Sequence, residues 1–365
     1  MKNNLVIYRK YRPKTFSEVI GQDHLIKTIT YAVKQGKPAH AYLFSGTRGV
    51  GKTTVARLIV KAVNCQNPGK GFEPCNKCAS CLAIDRNAAV DLLELDAASH
   101  RGIDEAKSLI ESVKYPPVES TYKVFIIDEV HMLTREAFNS LLKTLEEPPP
   151  YVIFILATTE PQKIPQTIIS RCQYFEFKRL KRDQIKQKIK IILEKEEIEI
   201  DKKSIDFIAK SGRGSLRDME SLLERVISQS EKKISWKDLE EILGIVSPEV
   251  VRDFLKVLFK KDAKGALQFI HNIFERGKDI VQFNSQIIDY LRLIILGKID
   301  KELLKAHYLD AQEETDITEL GRIVKEKKLL RLIDFFSRAE RDVNKYPLGQ
   351  MSTEIAAIEA IENLK

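Results

Sequence analysis

At 365 residues the chain exceeds one ordinary domain, and 43% hydrophobic with 31% charged residues describes a folded polypeptide rather than a disordered one. The 60 Lys and Arg outnumber the 52 Asp and Glu for a net charge of +8, which is compatible with a nucleic-acid partner without demanding one. No run of about 18 apolar residues occurs, and the opening MKNNLVIYRKYRPKTF lacks an unbroken apolar stretch. Neither a membrane span nor a signal peptide is therefore predicted, and a cytoplasmic location is expected.

Five apolar, β-branched runs read as buried strands in the first half: AYLFSG at 41–46, VDLLELD at 90–96, KVFIIDE at 123–129, YVIFILATT at 151–159 and QYFEF at 173–177. Amphipathic stretches such as TTVARLIVKAV and TREAFNSLLKTLEE separate them. Strands alternating with helices predict an α/β domain, a parallel sheet with helices on both faces. Pro116-Pro117 and Pro148-Pro149-Pro150 mark helix ends or loops. Beyond about 178 the strand signal vanishes, and segments such as VVRDFLKVLF and VQFNSQIIDYLRLIILG carry apolar residues at helical spacing. Gly212 and Gly214 punctuate one loop, and LGIVSPEV at 243–250 reads as a joint between helical modules. The expected organisation is an α/β domain over 1–178, a small helical domain over 179–243 and an all-α domain over 244–365.

The pattern G-x-x-x-x-G-K-[ST] runs through Gly46, Thr47, Arg48, Gly49, Val50, Gly51, Lys52 and Thr53, with Thr54 after it. It lies between a predicted strand and a predicted helix, where the pattern has physical meaning. The glycines let backbone N–H groups wrap a phosphate, and the helix N-terminus adds positive potential. Lys52 can reach the β and γ oxygens, and the Thr53 hydroxyl can ligate Mg²⁺. The run VFIIDEVH at 124–131 supplies the partner. Asp128 and Glu129 fall where a parallel sheet binds ligands, past the carboxyl ends of its strands. Asp128 would hold Mg²⁺ through its water shell, and Glu129 would orient or deprotonate an attacking water. Binding and hydrolysis of ATP is the predicted chemistry.

Cys65, Cys75, Cys78 and Cys81 cluster, while Cys172 stands apart. Four thiolates on such short loops can close a tetrahedral shell around Zn²⁺ and leave no open position, so a structural site is expected. Disulfides and an iron–sulfur cluster are the alternatives. A knuckle that supports a partner contact is the expected role.

YRPKTFSEVIGQ (11–22), SGTRGVGKTT, the four-cysteine insert, IIDEVHMLTREAFNSLLKTLEEPP, FILATTEPQKIPQTIISRCQYFEF and GSLRDMESLLER occur in this order. Together they resemble the bacterial DNA polymerase III gamma/tau family, the clamp-loader ATPases of the AAA+ class. The likeness runs through 5–230 and thins over the C-terminal third. It implies an AAA+ P-loop domain, a three-helix lid and a helical collar. It also implies a five-membered ring shared with delta- and delta-prime-type subunits, which binds ATP at subunit interfaces. Such a ring opens a sliding clamp, places it on primed-template DNA, and lets go on hydrolysis.

Residue by residue, the resemblance implies that Arg171, in SRC, is an arginine finger for a neighbouring subunit; its sequence alone would make it a surface charge. Thr158 or Thr159, in LATTEP, matches the γ-phosphate sensor, and strand alternation leaves the choice between them open. Arg217, in GSLRD, matches the lid-borne sensor. Tyr11, Arg12 and Pro13, with Val19, Ile20, Gly21 and Gln22, match the adenine-side wall. Eight Lys or Arg against Glu176 and Asp183 between Arg171 and Lys190 form either a solvated face or a DNA-tracking one. Ser99 and Arg101 are candidate contacts to DNA phosphates. A translocating AAA+ motor such as a helicase subunit, or a non-hydrolysing scaffold, are the rival readings; the intact Lys52, Thr53, Asp128 and Glu129 oppose the scaffold. The end at Lys365, soon after the expected collar, resembles the family's shorter form.

Overall fold

The computed structural model describes residues 6–99, 111–229, 232–305 and 311–365, and Arg101 lies outside them. The five apolar runs form one sheet: β1 Ala41–Ser45, β2 Leu92–Asp96, β3 Lys123–Asp128, β4 Val152–Thr158 and β5 Gln173–Glu176. All neighbouring pairs are parallel and the spatial order is β2-β3-β4-β1-β5. β1 and β4 are buried along their whole length, because helices cover both faces and no residue of an inner strand can turn to water. The register sets Ser45 beside Thr158, and Asp96 beside Asp128, at the carboxyl ends.

The helix Arg135–Glu146 shows how the coverage arises. Thr134 caps its start by accepting from the Ala137 N–H at 3.3 Å. Ala137, Phe138, Leu141 and Leu145 recur on one face and are buried with Phe125 and Phe154, whose rings stack 5.1 Å apart. Each of the larger side chains, Phe138, Leu141 and Leu145, contributes roughly 1.5–3 kcal/mol on burial. Strand structure does not end at β5. A short strand occurs at Glu199–Ile200, and the Glu199 N–H donates to the Lys232 carbonyl at 2.8 Å. Two residues are too few to show a period, which is why the helical reading ran through them.

The chain divides into two compact units, Met1–Lys233 and Ile234–Lys365. From Trp236 onward every described element is helical, the longest being Ile280–Ile299. The core of this second unit centres on Phe254, with Phe283 and Phe336 at 5.2 and 6.1 Å between ring centroids. Gly244, at φ +64°, ends the helix Trp236–Leu243 before the next begins at Pro248, both within the second unit. Among the described residues no helix is long and apolar enough to cross a membrane.

Candidate nucleotide site

β1 runs into the glycine loop, and the loop runs into the helix Lys52–Asn64, whose N-cap is Gly51 at φ +104°. Few L-residues tolerate that angle, so the loop can turn its amides toward the helix start only with glycine there. Gly49, at φ +79°, meets a second constraint. A Cβ on it would stand 2.1 Å from Ser215 Oγ. Its carbonyl accepts from the Leu216 N–H at 2.9 Å. Ser215 caps the helix Leu216–Ser228 through the Asp218 N–H at 3.2 Å. Loop and helix start are thereby in direct contact.

Lys52 is 6% exposed and its Nζ donates to the Gly46 carbonyl at 2.7 Å and the Thr47 carbonyl at 3.1 Å. Burial pulls its pKa below the usual lysine value, while Glu129 and Asp128 pull it back up. A buried ammonium that relies on carbonyl dipoles is well placed to exchange them for phosphate oxygens. The Thr53 hydroxyl donates to Asp128 Oδ2 at 3.0 Å, so the two predicted Mg²⁺ residues, one in the first turn of the helix Lys52–Asn64 and one at the end of β3, face each other. Both present oxygen, the donor type that Mg²⁺ prefers.

Glu129 has φ +47°, a strained backbone for a non-glycine residue. Its Oε2 accepts from the Thr159 N–H at 3.2 Å and the Thr159 hydroxyl at 2.8 Å. The alternation along β4 therefore resolves: Thr159 faces Glu129, and Thr158 is fully buried. The Thr158 hydroxyl shares a hydrogen bond with His131 Nδ1 at 3.0 Å and accepts from the Glu160 N–H at 3.0 Å. His131 Nδ1 also stands 3.4 Å from Glu129 Oε2. That histidine was visible in VFIIDEVH, but nothing in a single sequence signals its contact with β4.

Lys52, Thr53, Asp128 and Glu129 open on a cavity of about 550 Å³ within the first unit, and Thr158, Thr159 and His131 stand behind Glu129 rather than among the lining residues. Arg12, Val19, Ile20, Arg48, Val50, Thr54 and Arg217 line it with the loop glycines Gly49 and Gly51, Lys52, Thr53, Asp128 and Glu129. Of the other predicted residues, Gly46 and Thr47 act through their carbonyls on Lys52. Tyr11 turns its side chain away: its hydroxyl donates to Glu196 at 2.7 Å, and its carbonyl accepts from Lys188 Nζ at 2.7 Å. Arg171 is not among the lining residues; its guanidinium donates to Glu146 and, at 2.8 Å, to the Thr167 carbonyl. Ser99 donates its hydroxyl to Asp96 at 2.9 Å.

Of the lining residues that escaped the sequence reading, three carry notable interactions. Tyr8 carries the Arg217 guanidinium over its ring at 5.4 Å; it sits in the helix Ile7–Lys10, just before Arg12. Lys188 and Glu220 are each 6% exposed and stand 3.8 Å apart. Burial pushes the Glu220 carboxyl up to about 7, against the pull of Lys188 and Arg12, and it lowers Lys188 and Arg12. Glu220 shares a helix face with Arg217 three residues earlier, the one cue available. Lys188 is a correction to the basic segment: it is buried, Lys186 pairs with Asp206 at 2.5 Å, and Arg182 donates to the Asp206 carbonyl at 2.9 Å. Those three cations do not form a free solvated face.

The four clustered cysteines also converge. Their Sγ atoms all lie within 4.8 Å of one another. Sulfurs on a Zn tetrahedron with bonds of about 2.3 Å stand about 3.8 Å apart, so the set fits a metal ion. The Cys78 N–H donates to Cys75 Sγ at 3.3 Å, and the Cys81 N–H to Cys78 Sγ at 3.5 Å. Bonds from the Lys77 and Cys78 N–H groups hold the Cys75 thiol down to about 6, whereas burial raises Cys65 and Cys81.

Three family models match in succession. One described as DNA polymerase III, delta subunit covers 21–181. The clamp loader subunit ATPase lid domain covers 184–232, and domain III of the gamma and tau subunits covers 234–364. The tau subunit of DNA polymerase III from Bacillus subtilis is 40% identical over 352 residues, which is 96% of this chain and 62% of that protein. The gamma subunit from Buchnera aphidicola of Schizaphis graminum is 34% identical over 363 residues, 100% of this chain and 99% of its own length. That from Buchnera aphidicola of Acyrthosiphon pisum is 40% identical over 292 residues, 80% of each. The chain thus spans less than two thirds of the B. subtilis relative.

Proposed function

We propose, from the premise that this chain belongs to the DNA polymerase III gamma/tau family of clamp-loader subunits, that it is an ATPase whose nucleotide cycle loads a sliding clamp onto primed DNA. One observation carries the ATPase reading. Lys52, the Thr53–Asp128 pair and Glu129, which Thr159 holds from behind, meet at the mouths of three adjacent parallel strands, and Lys52, Thr53, Asp128 and Glu129 line one cavity.

The residues divide the work by chemistry. The loop amides and Lys52 bind the β- and γ-phosphates, with Lys52 giving up its carbonyl partners for phosphate oxygens. Thr53 and Asp128 hold Mg²⁺, which supplies neutralisation of charge on the phosphates. Glu129 takes the proton of the attacking water or orients it, and Thr159 fixes the direction of its carboxylate. Val19 and Ile20 cover the base, and Arg12 belongs to that wall. Arg217 reports phosphate occupancy to the helix that follows Ser215. Arg171 acts on a neighbour's site rather than its own, breaking its pair with Glu146 to do so. The four cysteines hold a structural Zn²⁺.

The organisation that goes with this reading is an AAA+ domain over 1–178, a lid to 243 and a collar over 244–365. Its partners are delta- and delta-prime-type subunits in a five-membered ring, the sliding clamp, and primed-template DNA held by its backbone, in the cytoplasm. Nucleotide binding by Lys52→Ala tests the foundation: affinity for a fluorescent ATP analogue should fall below detection. An unchanged affinity would remove the glycine loop from the site.

A further inference from the structure

The cysteine cluster and the base-side wall of the cleft are adjacent in space, though some 55 residues apart in sequence. Glu73 lies two residues before Cys75. Its Oε2 accepts from the Phe16 N–H at 2.7 Å and its Oε1 from the Ser17 N–H at 2.8 Å. These two amides open the single 3₁₀ turn Phe16–Glu18, whose N-cap Thr15 makes no side-chain bond to the backbone amides of the turn. Amides at a helix start lack internal partners, and a carboxylate that takes both makes two charge-assisted bonds. Asn76, just after Cys75, donates from Nδ2 to the Lys14 carbonyl at 3.1 Å and accepts from Lys61 Nζ at 2.9 Å.

The turn leads directly into the cleft, since Glu18, Val19 and Ile20 all line it. Glu18 Oε2 also accepts from the Lys14 N–H at 2.7 Å, which closes the 14–18 segment on itself. On the other side, the Cys75 N–H donates to Cys65 Sγ at 3.4 Å, and Cys75 Sγ accepts from the Lys77 and Cys78 N–H groups. Glu73 and Asn76 therefore bracket a cysteine whose place is set by the other three.

We infer that the four-cysteine knuckle is the support of the nucleotide-base wall: with metal bound, Cys75 fixes Glu73 and Asn76, and these hold residues 14–18 so that Val19 and Ile20 stay at the cleft. Glu73 and Asn76 are positioning residues, and nothing they touch reacts. The inference rests on the cleft being the nucleotide site. It gives the knuckle a role within its own subunit, where a partner contact was expected.

The test uses the full chain, with bound zinc quantified, and two readouts: amide hydrogen exchange over residues 14–20 and affinity for a fluorescent ATP analogue. Removing zinc with a chelator should speed that exchange and weaken affinity about tenfold, the scale of one lost charge-assisted hydrogen bond. Glu73→Ala with zinc retained should do the same. Zinc removal from Glu73→Ala should add little, because both act through one linkage. Glu73→Gln, which keeps an acceptor oxygen, should recover part of the loss. If stripping the metal unfolds the chain, zinc-loaded Glu73→Ala and Asn76→Ala still decide the matter. Unchanged exchange and affinity in those variants, or fully additive effects, would overturn the inference. If metal-loaded wild type does not bind the analogue at all, the reading of the cleft fails, and the exchange measurement still judges the linkage separately.

Discussion

Gly49→Ala should uncouple the phosphate loop from the helix that carries Arg217. At φ +79° a Cβ costs about 1–2 kcal/mol. At 2.1 Å it also displaces Ser215 Oγ, which caps Leu216–Ser228 by accepting from the Asp218 N–H; losing such a cap costs about 0.5–2 kcal/mol. The sum is roughly 1.5–4 kcal/mol. The free chain can relax by shifting the loop or releasing the cap, whereas a bound phosphate needs the loop in its original path. The strain then reappears on binding, as roughly a 10- to 1,000-fold loss of affinity. Titration with a fluorescent ATP analogue measures it, and hydrogen exchange at Leu216–Asp218 should rise in the unliganded variant. Gly36→Ala is the control: φ is +66°, no atom lies within 4 Å of the added Cβ, and the residue is outside the cleft. It should destabilise by about 1–2 kcal/mol and leave affinity intact. A Gly49→Ala affinity within about threefold of wild type, with unchanged exchange, would refute the reasoning.

Arg171→Ala should spare ATP binding, since the side chain does not line its own cleft, and lower hydrolysis in the assembled ring by at least about 10³-fold; single-turnover hydrolysis in mixed subunits checks this. Glu220→Gln should flatten the pH dependence of stability between about pH 4.5 and 7. The folded chain holds the Glu220 proton up to about pH 7, against an ordinary value of 4.5. It therefore binds more protons than the unfolded chain across that window, and stability falls as pH rises through it, by about 3 kcal/mol in all at 1.36 kcal/mol per unit. Urea unfolding at several pH values reads the slope, and an unchanged slope in the variant would assign it to other groups.

The parts legible in the sequence were those whose signal is local. Buried inner strands such as VIFIL announce themselves by uninterrupted apolar residues, and the glycine loop by glycines at positions where the backbone takes positive φ. Which of Thr158 and Thr159 contacts Glu129 was closed to sequence because it depends on how the end of β4 meets the turn after β3. Lys188 and Glu220 were illegible for another reason. Each sits on a helix remote in sequence from the loop, and within its basic run nothing in the sequence distinguishes Lys188, whose Nζ donates to the Tyr11 carbonyl, from the cations around it. Glu73 shows the same limit: an acidic residue near a cysteine carries no mark of the two amides it holds in a segment 56 residues away.

ATP hydrolysis by the chain together with the delta- and delta-prime-type subunits, with and without sliding clamp and primed DNA, tests the central claim most directly. The account predicts turnover that rises steeply only when clamp and primer–template junction are both present, and that Lys52→Ala abolishes. Turnover that scales with DNA length and ignores the clamp would contradict it and identify a translocating motor.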